Sequence, residues 1–337
     1  MNLKQTLKKV LLNTGTMRFR RSFTAKSLAI LFYHSVSDRR AEQASYIPQG
    51  ITTEPNLFRQ HMRLLRKEYN PITLNDACNW LNEKQDIPPN SVIVTFDDGF
   101  EDNAVLAAPI MEDVGIYGTF YLTANCIEQQ TLPWFCKIRY LFQTGKKKEI
   151  EIVDPATKCK WRLAQPKECR SAWLHLAYPC AKLLCEEQES WIRYLESMFN
   201  TQYDSQYAPK MMSWEQANEM ARRGHLIGNH TFSHPNVAFQ TAENQRSEIT
   251  WAHELLANRL DTPLEHFSYP HPCLNPQWDI YSQTFIREKG YKTIVTTEFG
   301  SVKQTDSPFL LKRIPIDNTD LDTLRWKLEN AFAGITV

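Results

Sequence analysis

No CxxC pair occurs among the eight cysteines of the 337-residue chain, which sit at positions 78, 126, 136, 159, 169, 180, 185 and 273. Cysteines scattered in this way read as reduced thiols, not as a disulfide framework. Neither sign of charge is in excess, with 39 basic against 38 acidic residues and a formal net charge of +1. That balance excludes a dedicated polyanion binder, so no nucleic-acid partner is expected. The substrate should be neutral, or charged only locally. No stretch approaches the roughly 18 consecutive apolar residues of a membrane span. The basic segment Met1 to Arg21 is followed by no apolar core of an export signal and no cleavage site, so a cytoplasmic location is expected. Internal repeats and low-complexity segments are also missing. What is present is 42% hydrophobic and 12% aromatic content, enough for a large core. A single α/β barrel of about 250 residues fits that length as well as two or three smaller domains do.

Residues 1–25 read as a basic N-terminal helix or arm. Leu3, Leu7, Val10 and Leu11 share one helical face, with Lys4, Lys8 and Lys9 around them. Residues 2–13 could therefore lie on an anionic membrane surface, or simply pack as a terminal helix with a solvated basic face. From residue 26 to about 325, strand-like and helix-like segments alternate, the pattern of a mostly parallel sheet or barrel. Strands are predicted at Ser27 to Val36, Ser91 to Phe96, Tyr117 to Ala124, His225 to His230, His266 to Tyr269, Tyr291 to Thr297 and Phe309 to Ile316. Helices are predicted between them, including Asn103 to Val114, Ser213 to Arg223, Glu243 to Leu260 and Trp278 to Lys289. Seven strands suit a barrel without excluding an open sheet. Residues 126–210 break the alternation, with a hairpin at Glu149 to Leu163 and a helical stretch at Lys167 to Phe199 interrupted at Pro179. This reads as an insertion within the barrel.

Two constellations carry chemistry. Thr95-Phe96-Asp97-Asp98-Gly99 stands where an apolar strand ends, the place barrel enzymes put their catalytic groups. Adjacent carboxylates diverge there, so one can bind a metal while the other titrates as a base. Taken alone, the fragment reads equally well as a solvated Asp-Gly turn. The second is His230-Thr231-Phe232-Ser233-His234, two histidines four residues apart directly after a strand. Either could be a satisfied structural histidine. Combined with the Asp pair, one carboxylate and two imidazoles make a facial ligand set with sites open to water and substrate.

TFDDG followed by HTxxH resembles the polysaccharide deacetylase (NodB-homology) domain, carbohydrate esterase family 4. YHSV at 33–36, FSYP at 267–270, GYKTIVTT at 290–297 and LKRIPI at 311–316 appear in the order and spacing of an exopolysaccharide-associated branch. The resemblance covers roughly residues 26–318. It implies a distorted (β/α)₇ barrel, here with a long inserted hairpin-plus-helix subdomain. It assigns Asp98, His230 and His234 as metal ligands and Asp97 as general base. One divalent metal is implied, zinc first, although such ligands accept others. The backbone N–H of His271 is expected at the oxyanion. Tyr33, Tyr269 and Trp278, and Trp134 with Phe135 in the insertion, could stack on the sugar rings of the substrate or else pack in the core.

The sequence departs from that pattern in three places. Ser268 replaces the arginine that orients the base, leaving Arg313 as the candidate partner of Asp97, or else a rim salt bridge. His271-Pro272 replaces a Tyr-Gly pair. The final strand lacks the histidine acid, which leaves His34, after the first strand, as the candidate acid or a strand-end structural residue. The expected activity is removal of N-acetyl groups from amino sugars of a polysaccharide or lipid-linked glycan precursor. Alternatives are a deformylase or amidase on the same site, and an inactive glycan-binding barrel.

Overall fold

The computed structural model describes residues 26–38, 46–146, 176–270, 275–316 and 318–335. The N-terminal helix expected at 2–13, the hairpin at 149–163 and His271 lie outside the described residues.

Seven parallel strands close into a barrel: β1 (Ser27–Tyr33), β2 (Ser91–Phe96), β3 (Thr119–Leu122), β4 (Leu226–Asn229), β5 (His266–Ser268), β6 (Thr293–Phe299) and β7 (Leu311–Pro315). Strand β1 closes the ring by pairing with both β2 and β7, with Tyr33 opposite Phe96 and Leu31 opposite Ile314. The chain is therefore the (β/α)₇ barrel that the resemblance implies. Two short strands, Asn70–Pro71 and Val302–Lys303, are laid on as extra pairings at the base. Helices α1 (Pro55–Glu68), α2 (Leu74–Leu81), α3 (Ala108–Glu112), α4 (Ala124–Glu128), α5 (Trp134–Thr144), α6 (Cys185–Phe199), α7 (Trp214–Arg222), α8 (Ala242–Arg259), α9 (Ile280–Glu288) and α10 (Leu321–Phe332) accompany the strands.

Alternation along the strands divides the core in two. Leu28, Ile30, Ile93, Tyr121, Val295 and Leu311 pack together with Leu74 and Trp80 of α2, which plug the base. The intervening residues Ala29, Leu31, Tyr33, Val92, Val94 and Phe96 face the surrounding helices. Strands apolar on both faces are what burial within an α/β barrel demands. Gly228 of β4 is required because a Cβ there would stand 2.4 Å from the Tyr121 ring.

Several elements begin or end differently from the sequence expectation. The segment expected to be helical from Asn103 opens as a π-helix over Asn103–Ala107 before α3. The third strand stops at Leu122, and Ala124 already begins α4. Of the insertion, α5 and α6 are described and pack on each other through Phe142 and Phe199, whose ring centroids are 4.8 Å apart. Both share the outer core of the barrel. Among the described residues no helix is long and apolar enough to cross a membrane.

Candidate metal centre

The carboxyl ends of the strands converge on one mouth. Strand β2 delivers Asp97 and Asp98, β4 delivers His230, β5 delivers Ser268, β1 leads into His34, and Arg313 stands on β7. The turn after β2 is tight: Asp98 takes φ +75° and Gly99 φ +85°, with the Gly99 N–H donating to the Asp97 carbonyl. A side chain in the left-handed region is uncommon outside turns and functional sites. Here it turns the two neighbouring carboxylates apart.

Asp97 is fully engaged. Arg313 donates from Nη1 to Oδ1 at 2.8 Å and from Nη2 to Oδ2 at 2.7 Å, a bidentate pair buried on both sides. The guanidinium is held in turn, donating from Nε to the Thr296 carbonyl at 2.8 Å and from Nη1 to Thr95 Oγ1 at 3.2 Å. It also lies over the Phe32 ring, 4.4 Å from its centroid. Ser268 Oγ accepts from Arg313 Nη2 at 3.0 Å and stands 3.4 Å from Asp97 Oδ1. Burial would raise the Asp97 carboxyl, but Arg313 and the neighbouring imidazoles outweigh it and hold the group below its ordinary value.

Asp98 is the opposite case. Neither of its oxygens, both buried, accepts a hydrogen bond. Instead His234 Nε2 stands 3.1 Å and His230 Nε2 3.5 Å from Oδ1. Burial alone would raise this carboxyl too, yet the two imidazoles hold it well below the usual carboxylate range. His230 Nδ1 lies 2.9 Å from the Ser268 carbonyl, which can only accept, so Nδ1 carries a proton and Nε2 is the nitrogen that faces Asp98. Burial pushes the His234 imidazole below its ordinary value, favouring the neutral form a cation needs. Its Nδ1 is buried without a partner. One ligand atom from each of Asp98, His230 and His234 falls within 4.8 Å of the others. A buried carboxylate with no donor is costly unless a charge offsets it. Three such groups in this arrangement fit one divalent cation.

His34 is half-buried at the same mouth, close enough to act electrostatically on both carboxylates. Its carbonyl accepts from Asn103 Nδ2 at 2.7 Å, which fixes the segment after β1. Tyr269 requires a correction. Its side chain is fully buried and its hydroxyl is 3.0 Å from Ser282 Oγ, within a cluster that includes Phe267 and Ile294. Its N–H donates to the Val295 carbonyl at 3.2 Å. Neither group is free to meet a substrate.

Sequence reasoning did not see Ser268 as a junction. One hydroxyl and one carbonyl of that residue touch Arg313, Asp97 and His230. The two insertion aromatics named from the sequence do reach the site, although against a ligand histidine. Trp134 Nε1 donates to the His234 carbonyl at 2.9 Å, and the Phe135 ring lies 5.1 Å from the His234 ring.

Against known proteins, residues 84–293 match the family described as polysaccharide deacetylase. Protein YxkH of Bacillus subtilis (strain 168), described as a polysaccharide deacetylase, is 20% identical over 290 residues, covering 86% of this chain and 71% of its own. Among solved structures, the Streptococcus pyogenes deacetylase PplD in complex with acetate superposes with TM-score 0.60 at 16% identity, over 90% of this chain and 99% of that one. IcaB from Ammonifex degensii gives TM-score 0.55 at 17% identity, over 92% and 98%. A de-N-acetylase from Aggregatibacter actinomycetemcomitans gives 0.56 at 16%, over 89% and 99%. At these identities the likeness is one of fold.

Proposed function

The chain belongs to the polysaccharide deacetylase family, and from that premise we propose that it is a metal-dependent hydrolase removing N-acetyl groups from amino sugars of a glycan. The observation that carries this reading is the contrast between neighbouring carboxylates: Asp98 buried without a donor beside two imidazoles, Asp97 clamped by Arg313. Asp98, His230 and His234 would hold the ion, zinc by ligand type. When bound, a divalent ion supplies a Lewis acid that polarises an acyl oxygen and acidifies water.

The chain's own residues do the rest. Asp97, held ionised, takes the proton from the attacking water, and Arg313 fixes the direction in which its oxygens point. Ser268 ties that pair to the His230 imidazole through a single residue. His34, which follows the strand next to the one that ends at Asp97, protonates the departing amine, which is a poor leaving group until it is protonated. Water and the acyl group thus become a free carboxylic acid and an amine on the sugar. A polymer or a lipid-linked precursor would meet the same groups. Residues 2–13, with Lys4, Lys8 and Lys9 around one apolar face, would suit the latter at a membrane surface.

The test is release of acetate from N-acetylated chitin oligosaccharides by zinc-loaded protein. Acetate release is expected, with Asp97→Asn slowing it by about 10²- to 10⁴-fold while zinc stays bound. Release of formate from formylated sugars but no acetate from any acetylated one would replace this reading with a deformylase. No release at all would leave a binding barrel.

A further inference from the structure

Glu248 has no place among the reacting groups, yet it is 3% exposed and lies behind the ligand turn. It stands on α8, and its carboxylate reaches the two residues in the middle of the His230–His234 turn. Oε2 accepts from the N–H of Phe232 at 3.1 Å and of Ser233 at 2.8 Å, and Oε1 accepts from Ser233 Oγ at 2.7 Å. The thiol of Cys185, from α6, is 3.5 Å from Oε1. Successive N–H groups pointing one way form a small anion-receiving concavity. In this protein an internal carboxylate fills it.

The turn has need of such a partner. Thr231 takes φ +67° and His234 φ +66°, so two side chains other than glycine sit in the left-handed region within four residues. On the near side the turn closes on itself, with Asn229 Oδ1 accepting from Thr231 N–H at 2.7 Å and Thr231 Oγ1 from His234 N–H at 3.1 Å. The Phe232 and Ser233 N–H groups face away from the mouth, and Glu248 is their acceptor. We infer that Glu248 is a positioning residue for the metal centre: it holds the turn in the conformation that aims both imidazoles at Asp98, and so sets the affinity for the ion. The inference rests on the reading of Asp98, His230 and His234 as ligands.

Zinc affinity, read by competition with a chromophoric chelator and by the absorption of cobalt-substituted protein, tests it without any glycan. Glu248→Asp keeps the charge but draws it back by one methylene, out of reach of the N–H pair. Its zinc affinity is expected to fall by about tenfold or more, with an altered cobalt spectrum. Glu248→Gln loses the charge but can present its carbonyl oxygen to the N–H pair and its amide to Ser233 Oγ, so affinity within about threefold of wild type is expected. Ser233→Ala, which removes one donor and leaves the helix intact, should lose about three- to tenfold. Unchanged affinity in both Glu248→Asp and Ser233→Ala overturns the inference. Asp tolerated and Gln impaired also overturns it, because charge and not reach would then be what matters. Should Glu248→Asp fail to fold, unchanged affinity in Ser233→Ala alone overturns it. A wild-type protein that takes up no zinc removes the metal centre itself, a failure distinct from the others.

Discussion

Strand β4 carries a histidine at each end, and the two are built in opposite ways. At the base, both nitrogens of His225 are occupied: Nδ1 accepts from the Gly118 N–H at 3.1 Å, and Nε2 faces Glu112 Oε1 at 2.9 Å. Glu112 is itself paired with Arg223 at 3.1 Å. At the mouth, four residues of strand away, His230 commits one nitrogen to the Ser268 carbonyl and turns the other towards a carboxylate with no donor. Both sites bury an imidazole against an acid. A site built for stability closes its hydrogen bonds internally, whereas a site built for a ligand leaves them open at a defined point. The difference is in completeness, not in composition.

Substitutions at the two ends should therefore separate activity from stability. His230→Ala should remove metal binding and lower deacetylation by about a thousandfold or more, since a bound ion contributes several kcal/mol to the transition state. A variant that keeps activity would make His230 another structural histidine. Next in size, His34→Ala should lower kcat by about 10²- to 10⁴-fold while zinc affinity stays at the wild-type level. Equal loss of both, or of neither, would remove His34 from the role of acid. His225→Leu should do the reverse of His230→Ala. Urea denaturation should show a loss of about 1–3 kcal/mol, with turnover unchanged once the protein is folded.

The last effect is one of pH. Burial pushes His266, the first residue of β5, down to about 4, and does the same to His61 on α1. Both are neutral in the folded protein at pH values where the unfolded chain, with its ordinary histidine value of about 6.5, takes up protons. Their contribution is thus complete above that value and declines as pH falls from about 6.5 towards about 4, by at most about 1.4 kcal/mol per unit for each. In metal-free protein, urea midpoints at pH 7 and pH 5 should show the decline, and His266→Gln should flatten it. A flat profile in the wild type would contradict the assignment.

Much of the mouth was legible in the chain because its members are local in sequence or stand at strand ends. Asp97 and Asp98 follow a β-branched run, and His230 and His234 share one turn, so spacing alone brought them forward. The Arg313 clamp joins residues 216 apart, and no periodicity links them. Only the missing arginine at Ser268 raised the question of what else could reach Asp97. Tyr269 was misplaced for a reason the sequence did contain. Successive residues of a strand face opposite sides, so with Ser268 facing the mouth, Phe267 and Tyr269 must share the outer face. Their ring centroids are 5.3 Å apart there. Glu248 left no signal, since a glutamate on an amphipathic helix acquires a role only once folding brings it against the ligand turn. Trp134 stood out as an aromatic, but its bond to the His234 carbonyl did not.

The most direct test is a zinc titration of wild type and Asp98→Asn side by side. One zinc per wild-type chain is expected, with binding lost in Asp98→Asn although the protein remains folded. Equal binding by the two proteins, or none by wild type, would mean that Asp98, His230 and His234 do not form a metal centre.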